Sequence, residues 1–365
     1  MKPDSALRRR IAAMPKVELH RHLEGSIRLQ TLVEVARQYQ IPLPGYDVET
    51  LRPYVQMTAN DPHNLDSFLS KFGVLRKFYR SPDVVRRITA EVVEDAAADN
   101  VRYMELRFTP FALASQMHFP LRDVMQWVCQ SAREAADRCG IVVRLIVSVN
   151  RHERVEYGFQ ALQAACDFRD MGVVGVDLAG RETGFPARPF CPMFIEAKQD
   201  GLGITVHAGE WQGPENVRDA IENMGADRIG HGVRVVEDSG VVRLAVERGV
   251  VFEVCPTSNL QSGVVRDVRH HPLRDLYYLK LPVTINTDDP TISNIALSDE
   301  LMLAVEALGF SPSDLRKYTL AAARAAFLPP EEKAALLEAL RSEFDRQEQD
   351  SQQDSTGVLA SVKCE

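Results

Sequence analysis

The sequence lacks the features that mark secreted, membrane-bound and disulfide-stabilised proteins. Its 6 cysteines contain no Cys-x-x-Cys pair and follow no regular spacing, which is typical of reduced thiols rather than of a disulfide framework. No run approaches the ~18 apolar residues of a membrane span, and the apolar stretch after Arg8-Arg9-Arg10 is too short for a signal peptide. We therefore expect a soluble, cytoplasmic protein without a membrane partner.

An excess of positive charge is absent as well. The chain has 43 Lys and Arg residues against 51 Asp and Glu residues, a net charge of −8, so no strongly cationic surface can neutralise a phosphate backbone. This composition argues against nucleic acid as a partner. No Gly-x-Gly-x-x-Gly follows the first predicted strand, although that motif marks the dinucleotide site of many doubly wound sheets.

What the sequence does contain is an alternation of short β-rich segments with amphipathic helical ones. The 365 residues, 45% of them hydrophobic, suffice for two domains or for one large barrel. The alternation predicts an α/β fold, a (β/α)8 TIM-type barrel, with an open doubly wound sheet as the alternative. Several predicted strands are nearly continuous apolar runs, as in parallel strands covered on both faces. The eight predicted strands are residues 16–19, 101–108, 142–149, 173–178, 203–206, 228–230, 250–254 and 282–286.

A long insertion, at about residues 26–100, separates the first predicted strand from the second. Within it Leu65, Phe68, Leu69 and Phe72 recur at the spacing i, i+3, i+4, i+7, which predicts an amphipathic helix. Core packing would explain such a stripe, but a barrel binds its ligand at the carboxyl ends of its strands, so we predict a helical lid. We expect one domain over residues 1–345, ending in helices, and a polar, disordered tail over residues 346–365.

Histidine and aspartate residues follow the ends of several predicted strands. His20 and His22 close the first strand on the same side of the chain, because strand side chains alternate. His207 and His231 follow two later strands, and Asp288-Asp289 follow the last. Since the catalytic groups of barrel enzymes lie on this rim, we expect these side chains to converge.

Imidazoles together with a carboxylate favour zinc over other metals. Four histidines compete for three positions, and the fourth is free to orient or deprotonate a water whose pKa the metal lowers from about 15.7 to about 7. The fourth strand ends in Leu178-Ala179-Gly180, without the lysine that bridges two metals in many binuclear hydrolases, so we expect one Zn²⁺ per chain. Glu210, on the loop after His207, is a candidate proton donor.

Five ordered motifs together resemble the adenosine deaminase family of metal-dependent hydrolases, and the resemblance extends from about Pro15 to Leu328. The motifs are Lys16-Val17-Glu18-Leu19-His20-Arg21-His22-Leu23-Glu24-Gly25-Ser26, His207-Ala208-Gly209-Glu210, Ile229-Gly230-His231-Gly232, Cys255-Pro256-Thr257-Ser258-Asn259 and Thr287-Asp288-Asp289-Pro290.

The resemblance implies a role for each residue in these motifs. It implies zinc ligands at His20, His22, His207 and Asp288, and it assigns proton donation to purine N1 to Glu210. His231 would act on the attacking water, Asp289 would bind N7, and the amide of Gly180 would meet N3. We expect burial beneath the substrate to raise the pKa of Glu210.

The substrate implied is a 6-aminopurine, with adenosine and 2′-deoxyadenosine favoured. His22, Glu24, Gly180 and Asp289 are expected to contact it, together with the stripe at Leu65, Phe68, Leu69 and Phe72. Glu24 stands where adenosine enzymes of the family often carry aspartate, so adenine or a modified 6-aminopurine nucleoside is the alternative. A catalytically silent metal-binding barrel is a third hypothesis.

Overall fold

The computed structural model describes the backbone of residues 5–361 and contains eight parallel strands in sequential order, each hydrogen-bonded to the next. In an open doubly wound sheet the strand order would reverse at a switch point, so the sequential order of all eight strands confirms the (β/α)8 barrel. The strands are β1 (Lys16–His22), β2 (Val101–Phe108), β3 (Val142–Asn150), β4 (Val173–Ala179), β5 (Gly203–Ala208), β6 (Arg228–His231), β7 (Val251–Val254) and β8 (Val283–Ile285).

The first strand meets the chain just beyond the last one. Asp288 donates its backbone N–H to the carbonyl oxygen of His20 at 2.9 Å, and its own carbonyl oxygen accepts from the N–H of His22 at 2.8 Å. Asp288 adopts a φ of 63°, a left-handed conformation that turns the chain sharply at this point. These contacts join the two ends of the sheet.

Helices surround the sheet and pack on it in one extended hydrophobic core and a second, smaller cluster near Val17 and Tyr103. Among the described residues, no helix is both long and apolar enough to cross a membrane. The α-helices are α1 (Ser5–Ala13), α2 (Leu29–Tyr39), α3 (Val48–Val55), α4 (Leu65–Leu75), α5 (Pro82–Ala98), α6 (Pro110–Ser115), α7 (Leu121–Cys139), α8 (Val155–Asp167), α9 (Cys191–Gln199), α10 (Pro214–Asn223), α11 (Ser239–Arg248), α12 (Pro256–Gln261), α13 (Leu273–Tyr278), α14 (Pro290–Ser293), α15 (Leu297–Glu306), α16 (Pro312–Ala325) and α17 (Pro330–Ser361).

The insertion after β1 is helical, as the sequence predicts, and consists of α2 to α5. Asn64 begins α4, because its side chain accepts a hydrogen bond from the N–H of Ser67 at 2.8 Å. The last helix of the insertion, α5, packs on β2 and α7 as an ordinary barrel helix does. The additional structure over the strand ends is therefore α2 to α4.

The last helix extends into the polar segment at the end of the chain, and the assignment of residues 346–365 as a separate disordered tail stays a prediction. The backbone of α17 is helical to Ser361, through most of the polar segment that composition predicts to be disordered. Its glutamate, glutamine and arginine residues are good helix formers, and the segment has no proline after Pro330, so polarity alone does not end the helix. Residues 362–365 lie outside the described residues.

Candidate active site

The predicted site residues lie at the carboxyl ends of their strands. His20 and His22 lie at the end of β1, and His207 is the second-to-last residue of β5. His231 is the last residue of β6, and Asp288 follows β8. They surround or underlie a cavity of about 280 Å³. Its lining consists of His22, Glu24, Phe68, Leu69, Phe72, Gly73, Arg76, Thr109, Asn150, His152, Ala179, Gly180, His207, Glu210, Trp211, His231, Asp288 and Asp289.

Three histidines and one aspartate converge at the bottom of this cavity. The Nε2 atoms of His20 and His22 lie 3.2 Å and 3.3 Å from Oδ1 of Asp288, and the Nε2 atoms of His22 and His207 are 3.3 Å apart. Metal–ligand bonds of about 2.0–2.1 Å in a tetrahedron place neighbouring ligand atoms about 3.3 Å apart. Nε2 of His20 is buried without a hydrogen-bond partner among the described residues, so this donor set fits a zinc ion.

Two buried carboxylates orient two of these imidazole rings. Nδ1 of His20 lies 2.8 Å from Oε2 of Glu253, and Nδ1 of His207 lies 2.9 Å from Oδ1 of Asp177. Each carboxylate therefore accepts the Nδ1 proton and leaves Nε2 unprotonated and facing the cavity. Such carboxylate partners fix the tautomer and the orientation of histidines that bind metals.

The two carboxylates share one arginine inside the barrel. Arg107 donates from Nη2 to Oε2 of Glu253 at 2.8 Å, and its Nη1 lies 3.3 Å from Oδ2 of Asp177. All three side chains are inaccessible to solvent. Burial would raise the pKa of Glu253, but the charges of Arg107 and Arg228 hold it well below the usual value. Glu253 is thus a permanent anion.

His231 is held by a different network, which sets its tautomer. Burial lowers the pKa of His271 to about 3, so this ring is neutral, and its Nδ1 accepts the N–H of Leu273 at 3.0 Å. Its Nε2 therefore donates to Oδ1 of Asn259 at 3.2 Å, and the amide nitrogen of Asn259 donates to Nδ1 of His231 at 3.1 Å. Burial also lowers the pKa of His231, so the neutral ring carries its proton on Nε2. That atom lies 3.7 Å from Oε2 of Glu210.

The loop that carries Glu210 is fixed by Glu182. The carboxylate of Glu182 accepts hydrogen bonds from four consecutive backbone N–H groups at 2.8–3.1 Å, those of Gly209, Glu210, Trp211 and Gln212. Glu210 itself is almost fully buried, and Oε2 has no hydrogen-bond partner among the described residues. Burial, and then the charges of Asp288 and Glu182, raises the pKa of Glu210 well above its usual value. The raised pKa agrees with the sequence-based expectation and suits a proton donor.

Asp289, Glu24 and Gly180 also line the cavity. Oδ1 of Asp289 is buried without a partner among the described residues, as is Oε2 of Glu24, while Oε1 of Glu24 accepts the N–H of Thr109 at 2.8 Å. Gly180 has a φ of 86°, and a Cβ atom there would lie 2.6 Å from Nδ1 of His152. Only glycine fits this turn, which leaves the surrounding space to a ligand.

The apolar stripe of α4 is only partly in the cavity wall. Phe68, Leu69 and Phe72 line the cavity, and Leu65 does not. Leu65 is the first residue of α4, one turn before Phe68, so the helix axis carries it away from the cavity. Substrate contact by Leu65 stays a prediction, and the cavity lining includes Gly73 and Arg76 after the stripe.

Comparisons with known proteins agree with this geometry. The family model described as Adenosine deaminase matches residues 15–343. Adenosine deaminase of Escherichia coli O1:K1 / APEC is 40% identical over 325 residues, which cover 89% of this chain and 97% of the relative. The chain belongs to the adenosine deaminase family. This membership confirms the sequence-based assignment, and with it the assignment to the hydrolytic deaminases.

Solved structures are similar to this chain over nearly its whole length. A Zn-bound COG1816 amidohydrolase from Burkholderia ambifaria is 29% identical with a TM-score of 0.86, and the match covers 96% of each chain. The N6-methyl-AMP deaminase of Arabidopsis thaliana is 32% identical with a TM-score of 0.81 over 92% of this chain and 98% of that one. Adenosine deaminases depend on a metal, and the buried cluster of histidines and Asp288 is where this family member would hold one.

Several residues that build this deaminase site are absent from the sequence-based predictions. Asp177, Glu253 and Arg107 each lie within a strand whose neighbouring residues are apolar, and such isolated charges in a buried strand are a detectable signal. Glu182, Asn259 and Arg76 lie in loops or at helix ends, where a polar residue is ordinary. For these, the signal appears only when the strand ends are placed together.

Proposed function

We propose that this protein hydrolyses the 6-amino group of adenosine and 2′-deoxyadenosine, which yields inosine or 2′-deoxyinosine and ammonia. One observation carries the proposal: three of the distances among the imidazoles and Asp288 match the edge of a zinc tetrahedron, and a buried Glu210 with a raised pKa lies in the same cavity. This arrangement unites a water-activating metal site with a carboxylic acid in one closed cavity.

We assign one zinc ion to His20, His22, His207 and Asp288. Three distances of 3.2–3.3 Å between their ligand atoms support this set. A competing set replaces His22 with His231, whose ligand atom lies within 4.8 Å of those of His20, His207 and Asp288. His231 is the less suitable ligand, because its Nε2 carries the proton and lies 3.9 Å from the nearest oxygen of Asp288. When bound, zinc lowers the pKa of a water molecule and so supplies the nucleophile at neutral pH.

Glu210 and His231 have different roles toward the purine ring and the attacking water. Glu210 donates its proton to N1, which weakens the aromatic character of the N1–C6 bond and makes C6 electrophilic. The water oxygen bonds to C6, while Nε2–H of His231 donates a hydrogen bond to it and opposes its developing charge. The C6–N6 bond breaks next. Of the two water protons, one leaves on ammonia and the other restores Glu210.

Asp289 and Gly180 orient the purine ring in this proposal. Burial and the neighbouring Asp288 raise the pKa of Asp289 well above its usual value, so its carboxyl can donate to N7. The amide of Gly180 meets N3, because no side chain there obstructs it. The apolar side chains of Phe68, Leu69 and Phe72 line the lid side of the cavity and exclude water from it.

A second candidate is adenine deamination, and Glu24 is the observation that favours it. Its carboxylate is longer than the aspartate often found at this point in adenosine enzymes, and it reaches into the cavity with Oε2 unpaired among the described residues. This carboxylate could bind the N9–H of a free base instead of a sugar hydroxyl. Adenosine is favoured because two features resemble the adenosine enzymes. They are the lid stripe and the motif Tyr103-Met104-Glu105-Leu106-Arg107-Phe108-Thr109-Pro110 on and after strand β2.

The test is an absorbance assay on adenosine, 2′-deoxyadenosine and adenine, with zinc-loaded protein and after chelation. We expect turnover that is lost with the metal, and a roughly 10²–10⁴-fold lower kcat in Glu210→Gln. Glu215→Gln, on the exposed surface of the next helix, is the control and should match the parent. If zinc-loaded protein deaminates no 6-aminopurine, the silent metal-binding barrel becomes the better account.

A further inference from the structure

One arginine of the catalytic cavity forms no ion pair within 4 Å among the described residues. Arg76 follows α4 in a short 3-10 turn, Arg76–Phe78, and is the only lysine or arginine that lines the cavity in the described part of the chain. No carboxylate among residues 6–349 lies within 4 Å of its guanidinium, and its buried Nε atom has no hydrogen-bond partner there. The charge of Arg76 opposes the rise in the pKa of the nearby Glu24 carboxyl, but the two groups form no ion pair within 4 Å. A half-buried cation without a direct acceptor loses solvation that a ligand with an acceptor group would replace.

Other arginines near the cavity differ from Arg76 in this respect. Arg181, beside Gly180, forms an ion pair with Asp66 on α4. Arg151 donates to the carbonyl oxygen of His207 and lies in the field of Glu182 and Asp177. Arg181 therefore has a carboxylate partner and Arg151 a carbonyl partner, although Nε and Nη1 of Arg151 are unpartnered among the described residues. Neither arginine lines the cavity, whereas Arg76 does.

The part of a substrate that Arg76 would meet follows from purine geometry. In the proposed function, C6, N1 and N7 face the metal cluster, Glu210 and Asp289. N3 and N9 lie on the opposite edge of the ring system, so a substituent on N9 extends away from these groups. The lid wall with Arg76, and the side chains of Glu24 and His152, are the parts of the cavity that remain for it.

We propose that Arg76 selects 6-aminopurine nucleosides whose sugar carries an anionic group, a phosphate or a carboxylate. This inference rests on the proposed function and narrows its substrate class. A planar guanidinium binds either group through two parallel hydrogen bonds, which a neutral hydroxyl cannot match. Glu24 would reject an anion that approached from its own side of the cavity, so the charge is directed toward Arg76.

The experiment compares matched substrates that differ in charge. Adenosine 5′-carboxylate is paired with its neutral 5′-carboxamide, and adenosine 5′-monophosphate is paired with adenosine. We expect the parent to show a kcat/KM roughly 10- to 150-fold higher for the anion of the preferred pair, the range expected for hydrogen bonds to a charged group. The carboxylate and phosphate arms show which anion fits.

The variants are Arg76→Met and Arg76→Lys, with Arg80→Met as the control. Arg80 belongs to the same segment and also has an unpartnered Nε, but it does not line the cavity. We expect Arg76→Met to bring the ratio of anionic to neutral substrate close to one, mainly through KM, and Arg76→Lys to restore part of it. Arg80→Met should keep the parental ratio.

Two different failures are distinguishable. If the parent turns over adenosine but shows no preference in either pair, or if Arg76→Met lowers both members of a pair equally, the role of Arg76 is wrong. If no nucleoside is deaminated at all, the proposed function fails instead. Thermal unfolding of each variant identifies a folding defect, and in that case the ratio measured for Arg76→Lys decides.

Discussion

Oε2 of Glu253 accepts a hydrogen bond from Nδ1 of His20 at 2.8 Å, and neither side chain is exposed to solvent. The strand β7 carboxylate thereby decides which nitrogen of the β1 imidazole faces the cavity. Glu253, which does not line the cavity, thus sets the tautomer of His20 beneath the cavity.

The first prediction concerns this contact. Glu253→Gln replaces an anionic acceptor with a neutral one, which weakens the hold on the His20 tautomer. We expect the zinc affinity to fall about 10- to 100-fold. Competition against a chelating indicator measures it, and Glu237→Gln, a half-exposed carboxylate paired with Arg234, is the control. An unchanged affinity in a folded variant would contradict the role of Glu253.

The second prediction concerns Arg107. Its replacement by Met leaves Asp177 without its arginine partner and removes one of two arginines from Glu253, both inside the barrel. We expect a loss of about 3–5 kcal/mol in the free energy of unfolding, as for other broken buried ion pairs. Arg144→Met removes a more exposed pair with Glu332 and should cost under about 1 kcal/mol. Urea unfolding measures the free energy of unfolding of both variants. Equal losses would show that the buried ion pairs of Arg107 contribute no more than the exposed pair of Arg144.

The third prediction concerns the pH dependence of the reaction. The charge of Glu182 is one of the causes that raise the pKa of Glu210, so Glu182→Gln should lower it. A proton donor acts only while protonated, and the alkaline limb of the kcat profile should therefore move to lower pH. The rate should also fall, because a glutamine amide cannot accept from every N–H of the 209–212 loop. A lower rate with an unshifted limb would assign Glu182 to loop structure alone.

The fourth prediction concerns stability and pH. Burial raises the pKa of Glu300 to about 8. Because the folded pKa exceeds the unfolded one, the protonated carboxyl contributes stability that is complete below about pH 4.5 and is lost as the pH rises through about 8. The stability advantage of the parent over Glu300→Gln should shrink over this interval. A constant difference in unfolding free energy between pH 4.5 and 9 would contradict it.

Sequence reasoning reached the barrel and the metal cluster for one physical reason. Parallel strands bring their carboxyl ends to one rim, so residues as distant as His20 and Asp288 become neighbours once the strands are recognised. The lid was recognisable from the spacing of Phe68, Leu69 and Phe72, although the position of Leu65 at the helix start was not.

The remaining part of the site depends on distances that spacing does not encode. Asn259 and His271 form one hydrogen-bonded chain to His231. Asn259 belongs to one of the five motifs, but nothing in the sequence shows that it bonds His231 or that His271 reaches it. The helical conformation of residues 346–361 likewise shows that a polar composition does not determine backbone structure. These features depend on which groups the fold brings close together, and the sequence alone does not state those distances.

The seam between β1 and the chain after β8 has a consequence for the order of assembly. The backbone of Asp288 joins the two ends of the sheet at His20 and His22, and these same three residues are proposed to hold the metal. Ring closure and completion of the ligand set are therefore a single event. A barrel that has not closed at this seam would therefore offer a metal the histidines without the carboxylate.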